Sequence, residues 1–497
     1  MSAPTATRSH NDVAGILRPA GVLEAQSVLA PYAGTLDARL AAHLLRRAGF
    51  GGTPDEIARL TGASAGDAVE SLVRFPSTAS LPQPDDVYDP SSLLQQYGPR
   101  GLRALDADQR RQLAMGVRKS EVQSIASLQL WWLNRMLATP APLQEKMAFF
   151  FHGHFTTAAI QKGVSPAMVY NQNQLFRQYA LGNLRELTRA VSYDPAMLLY
   201  LDNAQNVAAH PNENYARELM ELYTLGVDNY SEEDVRQAAR AWTGWRVFRL
   251  TGQAFFAPRL HDDGVKTFLG QSGNFDGDDV VDIIFEQPQC ARFFAAKLLD
   301  LFVYDNPEPE LVEGVADSLL RHDYTLAPVV SEILRSNVFY SPRAYRALVK
   351  TPVEFVVGTY KALGVAQIDR SALPALRGMG QILFYPPNVA GWPGGENWLT
   401  SQMMIARQNF LAGLINARVM GESSWLGEIP MDPAQATHAL VTALLQDDAS
   451  PAAYAQLKAY LEGAGTSALA MLGVENFQER IHGAAYLTMA MPAYQLS

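Results

Sequence analysis

Two short stretches concentrate the residues able to do chemistry. Residues 149–155 read FFFHGHF and place His152 and His154 one residue apart. Neutral imidazole is a ligand for Zn, Fe, Mn or Cu, and two imidazoles pointing the same way can share one ion. On an extended turn such a pair converges; inside a helix the rings leave the axis roughly 200° apart. Gly153 suggests that the helix before it ends there, which permits convergence. The second stretch, residues 202–245, reads DNAQNVAAHPNENYARELMELYTLGVDNYSEEDVRQAARAWTGW. It feeds an Asn/Asp/His-rich loop into a helix that Asn212 can cap and Gly226 can stop. At ~100° per residue, Glu213, Arg217, Glu218 and Glu221 share one arc. Tyr215, Leu219, Met220 and Tyr223 share the other.

Each feature has a plain reading. An amphipathic surface helix with Glu213–Arg217 and Arg217–Glu221 pairs explains the arc. The absence of lysine from this helix, and the polar loop before it, argue instead for an inward polar face. On that reading Glu213, Arg217 and Glu218 are the candidate catalytic side chains. H-x-H is a far weaker signal than HExxH, and two buried histidines closing an aromatic helix explain it equally well. His261, in the His261-Asp262-Asp263-Gly264 loop, can complete a set of metal ligands with His152 and His154, although a turn explains most of that loop. Lys266 can then meet an anionic group. Expected chemistry is a divalent transition metal, Zn, Fe, Mn or Cu, polarising a substrate or activating water.

The elements that must position these groups are mainly α-helices. Ser, Thr or Asp stands before proline at Thr53, Ser165, Asp194, Ser341, Thr351, Asp432 and Ser450, the signature of a capped helix with proline in its first turn. Sustained periodicity predicts a long helix from Asp106 to Leu137. Two β-prone runs around a Thr-Gly turn predict a hairpin near 245–258. Residues 76–104 read as a long excursion. The tract 384–398 (FYPPNVAGWPGGENW) cannot be regular; Trp392 and Trp398 plug the core or, with Asn388, Glu396 and Asn397, line a cleft. The expected fold is a multi-helix globular domain over 36–425, with a tail or strap over 1–35 and a C-terminal helical segment over 426–497.

Composition narrows the function. The 497 residues are 48% hydrophobic and 18% charged, with a net charge of −10 and no long basic run. That argues against broad nucleic-acid binding, which needs a positive surface. With one cysteine, Cys290, no intrachain disulfide or multi-cysteine metal site can form. No stretch reaches the ~18 apolar residues of a membrane span, and no apolar signal core opens the chain. A cytoplasmic protein is expected. Gly62-Ala63-Ser64-Ala65-Gly66 matches a nucleophile elbow only in letters, since a helix precedes it. Gly49-Phe50-Gly51-Gly52 lacks the full dinucleotide fingerprint, so no nucleotide cofactor is indicated.

Six blocks together carry a resemblance: HLLRRAGFGGTPDEI (43–57), EKMAFFFHGHFTT (145–157), LDNAQN…HPNENYARELMELYTLGV (201–227), YSEEDVRQAARAWTGW (230–245), HDDGVKTFLG (261–270) and FYPPNVAGWPGGENWL (384–399). Over roughly residues 36–425 the chain resembles the bacterial family called domain of unknown function 1800. Members are often encoded beside the domain of unknown function 1501 family, itself similar to alkaline phosphatases and sulfatases. The resemblance therefore implies a protein of that family as partner. It also implies export for many members, and a residue larger than Gly153 between the histidines in many. It supplies no mechanism. The expectation is a metal-dependent hydrolase or oxidoreductase with a His/carboxylate centre; the alternative is a non-catalytic assembly or partner-binding helical protein.

Overall fold

Six of the seven Ser/Thr/Asp–Pro dipeptides open helices: Pro54–Leu60, Pro166–Gln178, Pro195–Tyr200, Pro352–Ala362, Pro433–Leu445 and Pro451–Leu461. In each, the residue before proline accepts a hydrogen bond from a first-turn N–H, and proline loses nothing there because its missing donor would be unpaired anyway. Ser341-Pro342 differs: Ser341 accepts from Ala344 N–H in a turn, and the chain reaches positive φ at Arg346 before a helix can propagate.

The computed structural model describes residues 29–75, 82–416, 428–463 and 477–497. Most of the expected tail, 1–28, and the expected boundary at 425–426 lie outside the described residues. Residues 29–35 are tied to the segment after Leu326–Arg335: Tyr32 N–H donates to the Arg335 carbonyl at 2.8 Å and Asn337 N–H to the Ala30 carbonyl at 2.8 Å. Where a long excursion was expected, Ser91–Ala104 is helical, with a break at Gly98 (φ 62°). Gly98 (ψ 167°) separates two helical segments, and Pro99 can open the second because its missing donor would be unpaired there.

The long helix is present as Ala107–Ala138, started by a reciprocal Asp106/Gln109 capping box. Only its second half is buried, from Ser124 onward. The predicted hairpin pairs Trp245–Phe248 with Gln253–Phe256, antiparallel. A second hairpin, Lys266–Phe268 with Gln271–Gly273, was not foreseen. Its strands are too short for a period-2 pattern, and its turn residues, Leu269 (φ 45°) and Gly270 (φ 83°), lack the Asn-Gly signal usual for a turn with two positive φ values.

Two buried ionic ties set the frame around the candidate site. Glu145, fully buried, accepts from Trp132 Nε1 at 3.0 Å, Arg135 Nε at 3.1 Å, and Arg177 Nε and Nη2 at 2.7 and 2.9 Å. It thereby locks Ala107–Ala138, Pro142–His154 and Pro166–Gln178 together. Lys146 pairs with Glu354, fixing Pro142–His154 to Pro352–Ala362. The hydrophobic core runs on without a break into the C-terminal helices, through Leu440, Leu444, Ile481 and Met489. Arg346 holds those helices by the carbonyls of Leu445 and Ala493, both at 2.8 Å. No helix among the described residues is long and apolar enough to cross a membrane.

Candidate functional site

The Pro142–His154 helix runs straight through Gly153 to His154. The expectation that the two histidines converge is therefore corrected: in a continuous helix their rings leave on opposite sides. His152 Nε2 accepts the Phe384 N–H at 3.0 Å, so that lone pair is occupied and the ring proton sits on Nδ1. Its ring lies against Trp132, Phe384 and Trp392, with centroids 5.2 to 5.4 Å away. His154 Nε2 lies 2.9 Å from the Tyr223 carbonyl, to which it must donate, and its ring stacks on Phe150. Desolvation pushes both imidazoles down to about 3, with Lys297 adding to the effect at His154, so both are neutral near pH 7. Each pins a distant segment: His152 the 384–398 tract, His154 the turn at Leu219–Thr224.

His261 stands elsewhere. Its Nδ1 is 2.9 Å from the Thr243 carbonyl, and its ring packs on Phe256 at the hairpin base. Beside it, Arg240 binds Asp262 with Nε–Oδ2 at 2.7 Å. Lys266 is buried, with Nζ on the carbonyls of Asp262 and Gly264 at 2.6 and 3.0 Å, so its donors already serve this loop. Among the described residues no three His, Cys, Asp or Glu side chains gather where an ion could sit. With one lone pair occupied and the rings diverging, His152, His154 and His261 do not fit a shared metal ion.

The carboxylate helix divides. Asn214–Glu218 is α-helical, but Leu219–Thr224 is a π-helix, with Leu225 N–H donating to the Met220 carbonyl five residues back at 2.8 Å. A 100° arc therefore fails beyond Glu218. Arg217 forks onto Glu232, both bonds 2.8 Å, and reaches Glu213 at 3.1 Å. These side chains are 32% (Arg217), 66% (Glu232) and 40% (Glu213) exposed, so Glu213 and Arg217 face outward, not into a cleft as expected. Glu221 swings away from Arg217 and accepts from Tyr230 Oη at 2.9 Å. Asn212 accepts from Asn214 N–H at 3.0 Å, but the N-cap position falls to Glu213, which makes no side-chain cap bond; Gly226 (φ 81°) ends the turn.

Glu218 is the exception. It stands at the α-to-π junction, half-buried, and neither its hydrogen bonds nor an ion pair tie it to any described residue. Burial, and then the neighbouring Glu221 charge, raise its pKa, while Arg217 lowers it. Its charge bears on two buried phenols: burial first, then Glu218, raises Tyr200, and burial and Glu218 also raise Tyr223 against a lowering by Thr156. The exposed Tyr385 also raises Tyr200 through its charge. The Tyr200 carbonyl accepts from Lys162 Nζ at 2.8 Å, and Lys162 pairs with Asp202 at 2.6 Å.

Positive φ occurs at twelve described non-glycine residues spread along the chain, among them Lys162 (φ 50°), Asp202 (φ 60°) and Phe384 (φ 62°) in these segments. Such residues cost of order 1–3 kcal/mol each and cluster at functional sites. The Phe384 carbonyl accepts Ala159 N–H at 2.9 Å, joining the tract to the loop that carries Lys162. Gly391 fits because a Cβ there would stand 2.4 Å from the Gly153 carbonyl. Trp398 is buried and Trp392 covers His152, so this tract packs as a plug, with Tyr385 left at its edge. Tyr200, Tyr385 and Lys162 were not foreseen; the only trace of them in the sequence is Asp202-Asn203 closing an apolar run.

A family model described as "Protein of unknown function (DUF1800)" matches residues 43–496. The match extends past the resembling blocks to include the C-terminal helices. No curated protein and no solved structure matches the chain.

Proposed function

Since the chain belongs to the DUF1800 family, which brings no activity with it, we propose from the site alone that this is an acid–base enzyme with Glu218 as its proton-transfer group. One observation carries the reading: a half-buried carboxylate with no hydrogen-bond partner, held beside a second carboxylate, at a break in helical geometry. Partial burial of a carboxylate costs stability, and a carboxylate perturbed in this way is a functional-site candidate. A π-turn inserted in a helix is likewise frequent at such sites. The raised pKa moves Glu218 towards the range where one group can both accept and return a proton. Tyr385 supplies a hydroxyl at the edge of the same region, and Lys162 with Asp202 fixes the loop below it.

The reaction class proposed is hydrolysis, with Glu218 deprotonating water, because that step needs only a base and a water molecule. The test is a panel of chromogenic esters, phosphate and sulfate esters, glycosides and peptides. Wild-type turnover of one class, lost by ~10²-fold or more in Glu218→Gln and kept in Glu213→Gln, supports the assignment. Equal turnover in wild type and Glu218→Gln removes it.

A second reading rests on the hairpin. Phe248, Phe255 and Phe256 are exposed, and Phe248 stacks on Phe255 at 4.4 Å. Exposed aromatic clusters of this kind serve as partner anchors. The partner proposed is a protein of the domain of unknown function 1501 family, and the compartment proposed is the cytoplasm. Co-elution with such a protein that is lost in Phe248→Ser/Phe255→Ser would support the surface; co-elution unchanged in that variant would remove it.

A further inference from the structure

Far from Glu218 in the contact network, a cavity lies where Ala38–Arg47, Pro352–Ala362 and the C-terminal helices meet. Arg46, Lys350, Glu354, Gly51, Gly52 and Gly358 line it. It offers ≈ 40 Å³ to the centres of water-sized molecules, about three times the minimum for one water. One wall is bare backbone: Gly51 (φ 91°) packs on the Gly358 Cα at 3.6 Å, and a Cβ on Gly358 would meet the Phe50 carbonyl at 3.1 Å.

The charges around this cavity do not balance. Lys350 is only 8% exposed, and its ammonium has one carbonyl partner, Tyr494 at 2.7 Å. Arg46 gives one bond, to Gln446 at 2.9 Å, while its Nε and Nη2 are buried without partners. Behind them Arg407 spends Nη2 on the Lys350 carbonyl and Nη1 on Gln495, leaving Nε unpaired. Arg47 likewise has two buried nitrogens without partners. The acids nearby are already engaged: Glu354 with Lys146 and the Thr351 N–H, Asp448 with Arg346 at 3.2 Å. Ser497 also lines the cavity, its N–H on the Leu348 carbonyl. Among the described residues no carboxylate oxygen comes within 4.0 Å of the Arg46 or Lys350 nitrogens. Burial lowers the proton affinity of Lys350, and Arg46, Arg346 and Arg407 lower it further.

We propose that this cavity binds a small oxyanion, held by Arg46 and Lys350 against the glycine wall. A buried surplus of cations is stabilised by an anion that hydrogen-bonds them, and arginine's fork suits phosphate, sulfate and carboxylate alike. The cavity's size admits a small anionic group. The site would bind an inorganic oxyanion, or the anionic end of a small metabolite. It stands independently of Glu218.

The test is melting temperature against added phosphate, sulfate and acetate, each compared with chloride at equal ionic strength. Wild type is expected to show a saturable rise of ~2–4 °C with at least one of them. A response to phosphate and sulfate alone assigns a tetrahedral oxyanion, and an equal response to acetate assigns a carboxylate-compatible site. Arg46→Gln should lose the rise while melting no lower than wild type without added anion. Should Arg46→Gln not fold, Arg46→Lys and titration calorimetry of wild type with phosphate replace it, with one site expected and weaker binding in the variant. No saturable rise beyond chloride, no calorimetric site, or a full rise retained in the Arg46 variant would overturn the proposal.

Discussion

Replacing His152 tests whether it is a ligand or a structural acceptor. In His152→Ala the Phe384 N–H loses its partner, a loss of about 1–3 kcal/mol for a buried donor. The space among Trp132, Phe384 and Trp392 adds a cavity term of about 2–4 kcal/mol, below the range for Phe→Ala because imidazole is smaller. The expected cost is thus about 3–7 kcal/mol, and His152→Asn, which keeps an acceptor, should cost less. Acid supplies an independent check. Folded His152 and His154 titrate at about 3, against ~6.5 unfolded. The unfolded chain therefore binds protons first, and stability is fully present above pH ~6.5 and lost as pH falls towards 3. By pH ~4.5 each histidine costs on the order of 2–3 kcal/mol, and His43, also depressed by burial, adds to the slope. The assay is urea unfolding of tag-free wild type and His152→Asn from pH 7.5 to 4.5, with metal content measured on the same samples. A shallower acid slope in the variant is expected, with metal content unchanged. Stoichiometric metal in wild type, lost in the variant without a change in stability, would refute the structural role.

Two arginines should differ in cost. Arg177→Met takes two of its four hydrogen bonds from the buried Glu145 and leaves it Arg135 and Trp132, so it should cost ~2–3 kcal/mol, below the figure for a fully stranded charge, whereas Arg217→Ala, at a part-exposed fork, should cost at most ~1 kcal/mol; denaturant midpoints of the two variants check both. Gly391→Ala meets both a positive φ and the Gly153 carbonyl, so a loss of more than ~1 kcal/mol is expected, read as a lower melting temperature.

Much of the fold was legible because its signals are local. Caps such as Thr53, Asp106 and Thr351 act within one turn, and they mark helix starts whatever the tertiary context. The hairpin at 245–258 was likewise a matter of neighbouring residues. The site was less legible because it depends on geometry that sequence spacing does not carry. Gly153 suggested a helix end, but the packed aromatic run Phe149–Phe151 carries the helix through it. The 100° arc joined Arg217 to Glu221, but the π-turn at Leu219–Thr224 separates them. Glu218 was named among three carboxylate-helix residues, and only the burial of its surroundings distinguishes it from Glu213. Tyr200, Lys162 and Tyr385 come from three separate segments and meet only in the fold. The cation-lined cavity gave no sign either, since Arg46 and Lys350 lie some three hundred residues apart.

The most direct measurement is the unfolding free energy of Glu218→Gln against wild type from pH 4 to 8. A carboxylate whose folded pKa is raised contributes stability below its unfolded value, near 4.5, and loses it as pH rises through the folded value. If Glu218 is an unpaired carboxylate kept for proton transfer, Glu218→Gln gains on wild type as pH rises through this window and is at least as stable at pH 7. A variant less stable than wild type at pH 7, by a margin that widens with pH, would show that the ionised Glu218 stabilises the fold and would contradict its assignment as the proton-transfer group.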